Sequence, residues 1–303
     1  MKKVEETNVL SKRSKGEKIL FAIVFVIFAL YAFTLLYALF YLLTTSLKTI
    51  GNYETDIFNK QAFALPALHA LDFSNYIEAL QNMFITDTMG RNIYLYEMLF
   101  NSLWYTVLSS ALGVLGSAFV AYALTKYTFV GRNAIYAVII FTMTIPIMGS
   151  TGSTLKLLSD LNIYNTPFFL LTAFCGFGFN FMILYGFFKS LPWSYAEAVF
   201  IDGGGHFTAF FRVMLPQATS SIITLFIMAC IGAWNDYTTS LLYMPDFPTI
   251  ASGLYRVKEF ANDTGDYPVY FAGLILSIIP AITLFACCSD TIMKNFTVGG
   301  LKG

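Results

Sequence analysis

The chain has 303 residues, 57% hydrophobic and 12% charged, with 18 Lys/Arg balanced by 18 Asp/Glu and a mean hydropathy of +0.65. A soluble domain carries about 25% charged residues, so this composition describes a polytopic membrane protein. Zero formal net charge, without a basic patch or basic–aromatic interleaving, argues against nucleic acid as a partner.

In chain order, residues 1–18 form a basic tail with Lys2, Lys3, Lys12, Arg13, Lys15 and Lys18. The apolar run 19–43 follows. At ~1.5 Å per residue it reaches roughly 37 Å, enough for a tilted membrane helix, and it lacks a small-x-small cleavage site, so it reads as a retained span. Residues 44–97 are polar and long for a loop, and short helices are expected there, one over 75–82. A second span covers 98–124, where Ser109, Gly113, Ser117 and Ala121 recur every fourth residue as a small-residue face for close helix packing.

The third span, 134–154, contains Pro146 with Gly149 and Gly152 beyond it. A helix broken at membrane depth needs protein or a water-filled cavity beside it, so this break either lines a pathway or is a plain kink. A short connection, 156–166, leads to Pro167, which opens a fourth span running to 188. Asn180, within that span, is expected to face the bundle. The fifth span, 219–243, holds Asn235 and Asp236, which serve either a hydrogen bond to a neighbouring helix or a contact with cargo. Residues 244–268 read as polar and turn-rich, and a sixth span covers 269–289 with Pro280 inside. The division is a tail 1–18, a six-span all-α domain 19–289 and a tail 290–303.

The stretch 193–216 is the long polar-punctuated interval. Ser194 is placed to cap a short helix, with Glu197 closing a capping box. Asp202-Gly203-Gly204-Gly205 then stops that helix. A second helix follows with Phe207, Phe210, Phe211 and Met214 on one apolar face, closed by Pro216. With six spans the termini share a side. The tails and the intervals 125–133 and 189–217 hold twelve Lys/Arg against six in the remaining intervals, which places both termini and this loop in the cytoplasm.

Glu197-Ala198, Asp202-Gly203, Phe210 and Leu215-Pro216 resemble the EAA loop of ABC-importer permeases, the coupling helix that docks on a cytoplasmic ATPase. The departures are Val199 for the second alanine and Gly204 for the alanine that usually follows the glycine. Ala233-Trp234-Asn235-Asp236, the long first outer loop and the closing Gly-Gly-Leu-Lys-Gly extend the likeness to sugar-importer permeases of the maltose type. The resemblance implies a multi-pass subunit in a bacterial or archaeal cell membrane. Its implied partners are a second, homologous permease, a dimeric ATPase that binds the ATP, and an extracellular sugar-binding protein. It further implies that Gly299, Gly300, Lys302 and Gly303 contact the ATPases; without it they read as a frayed end. The cargo it implies is a sugar, an oligosaccharide, with Asn235, Asp236, Asn180 and the Pro146 break beside the route.

No P-loop, Ser/His/Asp arrangement or close acid pair gives the chain a catalytic centre. His69 and His206 stand alone, and Cys175, Cys230, Cys287 and Cys288, without C-x-x-C spacing, read as buried small hydrophobes, neither disulfides nor metal ligands. An ion-coupled carrier is the competing class, disfavoured because Asp236 is the one clear charge within a span. Within the ABC class, amino acids, peptides and polyamines are the alternative cargoes.

Overall fold

The computed structural model describes residues 15–61, 65, 71–145 and 149–300, with 15, 259, 260, 262–264 and 290–300 described by backbone alone. Helix α1 (Lys15–Ser46) is apolar on every side, and none of its most apolar stretch is buried within the chain. Such a helix needs lipid or a partner around it. It lies along α14 (Tyr267–Gly300), with Tyr41 meeting Phe271 at 6.0 Å. Its end is pinned by polar bonds. Asn75 donates to the carbonyls of Ser46 and Lys48, and the buried Lys48 ammonium pairs with Asp56 at 2.8 Å.

Helices α2 (Ile50–Phe58) and α3 (Ser74–Asn82) follow, the latter as expected. A short antiparallel hairpin, β1 (Phe84–Thr86) with β2 (Asn92–Tyr94), corrects the all-α reading, with Ile85 opposite Ile93. Its signal was β-branched and aromatic residues flanking a turn, which Asp87 closes by accepting from the amides of Met89 and Arg91 while Gly90 takes φ +84°.

Helix α4 (Leu95–Lys126) is the axis of the molecule. It packs on α7 (Phe179–Ser190), α11 (Thr219–Asn235), α13 (Ile250–Thr264) and the 3-10 helix Pro167–Cys175. Of the expected small face, Ser117 and Ala121 are fully buried. The closest approach is at a residue outside that row: a Cβ on Gly116 would lie 2.1 Å from the Phe174 carbonyl oxygen.

The expected third span is interrupted. Helix α5 (Arg132–Thr144) ends at an extended Ile145, as a residue before proline should. Pro146 itself lies outside the described residues. Gly149 has φ +80°, and α6 (Thr151–Asp160) then runs on through Lys156, where a connection was expected. The fourth span is not one helix either. The 3-10 helix Pro167–Cys175 and α7 (Phe179–Ser190) meet at 47° across Gly176 and Gly178. The Ala173 and Phe174 carbonyls at the end of the 3-10 helix press on α4 at Gly113 and Gly116, while Cys175 and Gly176 at the break itself are exposed within the chain.

The fifth span likewise divides, into α11 (Thr219–Asn235) and α12 (Tyr237–Tyr243). Residues 244–268, read as turn-rich, hold a full helix, α13 (Ile250–Thr264). Among the described residues, three helices are long and apolar enough to cross a membrane, Gly16–Ser46, Leu95–Lys126 and Tyr267–Ser289; two bent pairs bring the number to as many as five. The helix of the last span continues through 290–300, where a tail was expected. All four cysteines are free, yet only Cys230 is buried; Cys175 and Cys287 are exposed, which corrects the buried reading for those two.

At the hairpin end, Asp246 joins three segments. It accepts from the Thr88 amide (2.8 Å), the Thr88 hydroxyl (2.6 Å) and Asn165 Nδ2 (2.6 Å), while its own amide donates to Asn165 Oδ1 at 3.0 Å. Burial pushes its carboxyl up, but those donors and the nearby Arg256 charge outweigh burial and hold it below the usual carboxylate value. A depressed folded pKa contributes stability that is fully present above the unfolded value near 3.8 and is lost as pH falls through the folded one. Asp246→Ala is therefore expected to lower unfolding stability by roughly 1–2 kcal/mol at pH 7. The deficit should shrink as wild type and variant are compared below the unfolded pKa. Thermal unfolding of both across that window checks it, and an equal pH dependence of the two would contradict it.

Candidate functional site

The loop 193–216 is seated on the end of α4 and α7. Lys126, the last residue of α4, donates to the Leu191 carbonyl just past α7. Helix α8 (Ser194–Ile201) starts on Trp193, whose carbonyl accepts from the amides of Ala196 (2.8 Å) and Glu197 (3.2 Å). The expected capping box is absent: Ser194 already lies inside the helix and makes no cap bond. Glu197 stays in the first turn, where a carboxylate suits the helix dipole.

The glycine stop forms as expected. Gly203 adopts φ +78°, its amide donates to Phe200 at 3.1 Å, and the Gly204 amide reaches Val199 at 2.8 Å. These two bonds are the Schellman pair that satisfies carbonyls at a helix end.

The return helix, His206–Gln217, contains α9 (His206–Thr208), a π-helical turn at Ala209–Met214 and α10 (Leu215–Gln217). That turn overturns the single apolar face. Ala209, Phe210, Met214 and Ala218 are buried, whereas Phe207 and Phe211 are 69% and 54% exposed. An extra residue per turn brings Ala209 and Met214, five apart, onto the core side. The chain then bends by 77° into α11, and Pro216 lies two residues before the bend.

Aromatic rings fix the loop to the helices. Phe210 packs on Tyr122 at 4.9 Å and Phe119 at 5.6 Å, and His206 sits between Tyr127 (5.3 Å) and Phe200 (4.9 Å). The Tyr127 hydroxyl and His206 Nδ1 are 2.9 Å apart. Sequence reasoning missed Lys126, Tyr127 and Trp193; their signal was a basic–aromatic pair at a span end with a second aromatic past the next. On the far side Glu197, Ala198, Asp202 and Gly203 are exposed, with Ile201 85% exposed. The result is an apolar knob flanked by two acids and tied to the long α4 and the shorter α7.

The remaining residues singled out from sequence are dispersed. Asn180 begins α7 half-buried, and no hydrogen bond joins it to Asn235 or Asp236 among the described residues. Asn235 ends α11, its amide turned back to the Ile231 carbonyl at 2.8 Å. Asp236 occupies the break: it caps α12 through the Thr239 amide (3.1 Å) and accepts from the Tyr105 hydroxyl of α4 at 3.3 Å. Gly299 and Gly300 end the helical backbone of α14, and Lys302 and Gly303 lie outside the described residues.

The family described as "Binding-protein-dependent transport system inner membrane component" matches residues 113–296. This interval holds the loop, its helical seat and the divided fifth span. The chain belongs to that family: it is an inner-membrane permease component of a binding-protein-dependent transport system. It is similar to the sulfoquinovosyl glycerol transport system permease protein of Agrobacterium fabrum, at 29% identity over 88% of this chain and 89% of the relative. It is also similar to the maltodextrin transport system permease protein of Streptococcus pneumoniae, at 28% identity over 81% and 85%. Among solved structures, a bacterial ABC transporter involved in the import of the acidic polysaccharide alginate shares the fold. The TM-score there is 0.72 at 23% identity, covering 92% of this chain and 98% of the other.

Proposed function

We propose that this chain is one of two membrane subunits of an ATP-driven importer whose cargo is an oligosaccharide. ATP is bound and hydrolysed by a separate cytoplasmic ATPase dimer, and an extracellular binding protein delivers the sugar. The reading is carried by loop 193–216, whose inner face is locked to α4 and α7 while Glu197, Ile201 and Asp202 are left exposed for a partner. The named cargoes of the relatives, sulfoquinovosyl glycerol and maltodextrin, support a carbohydrate.

Six spans follow in this reading: α1, α4, the broken α5–α6 stretch, Pro167–Ser190, Thr219–Tyr243 and α14, with both termini cytoplasmic. Asn180, Asn235, Asp236 and the Pro146 break stand near the route, and Gly299, Gly300, Lys302 and Gly303 near the ATPases. Asp236→Asn keeps an oxygen for the Thr239 amide, so a change in uptake kinetics without loss of assembly would mark passage.

Uptake of labelled oligosaccharides by cells lacking and regaining this chain tests the cargo. Loss and return of sugar uptake is expected; loss of amino-acid uptake with sugar uptake intact would refute it. In sealed cells, single cysteines placed in a cysteine-free chain at the exposed Asn52, Met89 and Tyr255 should react with an impermeant thiol reagent, and those at the exposed Glu197, Ala198 and Asp202 should not. Labelling of the latter three positions from outside would overturn the orientation.

A further inference from the structure

Val199 and Gly204, the two departures from the EAA pattern, meet in the structure. They are the third residue from the end of α8 and the second beyond its stop, positions that a Schellman motif brings together. A Cβ on Gly204 would lie 2.5 Å from Val199 Cγ1, 3.0 Å from the Val199 carbonyl oxygen and 3.4 Å from Thr208 Cγ2. Gly203 needs its missing side chain because its φ is +78°. Gly204 is not in the left-handed region, so what it answers is a shortage of space. The branched valine is stiff about χ1 in a helix, and its Cγ1 does not swing aside freely. Gly205, by contrast, has nothing within 4 Å of its Cβ direction.

We propose that Val199 and Gly204 form a size-matched pair of positioning residues. The branched side chain at 199 fills the space that a side chain at 204 would need, and the pair sets the angle between α8 and the His206–Gln217 helix. That angle fixes where Ile201 and Asp202 face the ATPase. The inference rests on loop 193–216 acting as the coupling element, and it assigns the setting of that element to these two residues.

The test is a double-mutant cycle of Val199→Ala and Gly204→Ala, with Gly205→Ala as the roomy control. Two readouts are taken: thermal unfolding of the purified chain, and substrate imported per ATP by the complex assembled with its partner subunits. Gly204→Ala is expected to lower the unfolding midpoint by about 2–4 °C and import per ATP by about tenfold. Adding Val199→Ala removes the 2.5 Å contact and should recover part of both losses, the 3.0 Å approach to the Val199 carbonyl oxygen remaining. Gly205→Ala, with open space around its Cβ, should leave the unfolding midpoint unchanged. Additive losses in the unfolding cycle would overturn the pairing. A recovered midpoint with import per ATP unchanged across the whole cycle would overturn the positioning role. A wild-type complex without ATP-driven import would refute the coupling reading itself, while the unfolding cycle would still decide the pair.

Discussion

Gly116→Val is expected to disrupt the packing of the central helix and to cost about 3 kcal/mol or more, the upper end for overpacking. The first added carbon would fall 2.1 Å from the Phe174 carbonyl oxygen, 2.9 Å from its carbon and 3.1 Å from the Phe174 Cα. All three are backbone atoms, so no rotamer change relieves the clash, and the 3-10 helix Pro167–Cys175 would have to leave α4. Gly113→Ala, one turn away, is the control: its Cβ would meet the Ala173 carbonyl at 3.6 Å, an ordinary contact. It should be neutral or slightly stabilising, since glycine within a helix is about 0.5–1 kcal/mol worse than alanine. Yield of monodisperse protein and its thermal unfolding check both. Equal behaviour of the two variants would show that the close approach does not exist.

The second large effect is functional. Glu197→Ala is expected to remove roughly 2–5 kcal/mol from docking on the ATPase, the usual cost of truncating one partner of a desolvated charge pair at an interface. Within the chain the loss is small. The Glu197 side chain is exposed and makes no hydrogen bond or ion pair among the described residues, so only a helix-dipole contribution of about 0.3–1 kcal/mol goes with it. The variant should therefore insert and unfold like wild type while transport fails. Unchanged uptake, or uptake lost together with the folded chain, would contradict that division.

Much of this was legible in the sequence because it rests on local rules. The long apolar runs marked α1, α4 and α14, and Asp202-Gly203 marked a helix stop, since few residues other than glycine accept φ +78°. Helix α13 was legible but overlooked. Ile250, Leu254, Val257 and Ala261 recur at helical spacing, Thr249 caps the start through the Ser252 amide, and Gly265 ends it at φ +75°; the charged residues between disguised the pattern. The breaks in the fourth and fifth spans were only half signalled. Glycines and an acid at a span end announce an interruption, but the 47° angle across Gly176 and Gly178 is set by how α4 receives the carbonyls. The π turn at Ala209–Met214 was not legible. There Ala209, Phe210 and Met214 all bury in the core cluster shared with α4 and α7, a tertiary demand that overrides the 3.6-residue period. Ser194 failed as a cap for a related reason, since the Trp193 carbonyl was already in place for the free amides.

The central claim is that loop 193–216 is the surface through which an ATPase drives this permease. Its most direct test is a photo-crosslinking residue at Ile201, 85% exposed at the loop tip, in the complex isolated from cells. A covalent product with the ATPase subunit, depleted by Glu197→Ala, is the expected result. A tip that crosslinks to lipid or to an extracellular protein, with no ATPase product in an intact and active complex, would contradict it.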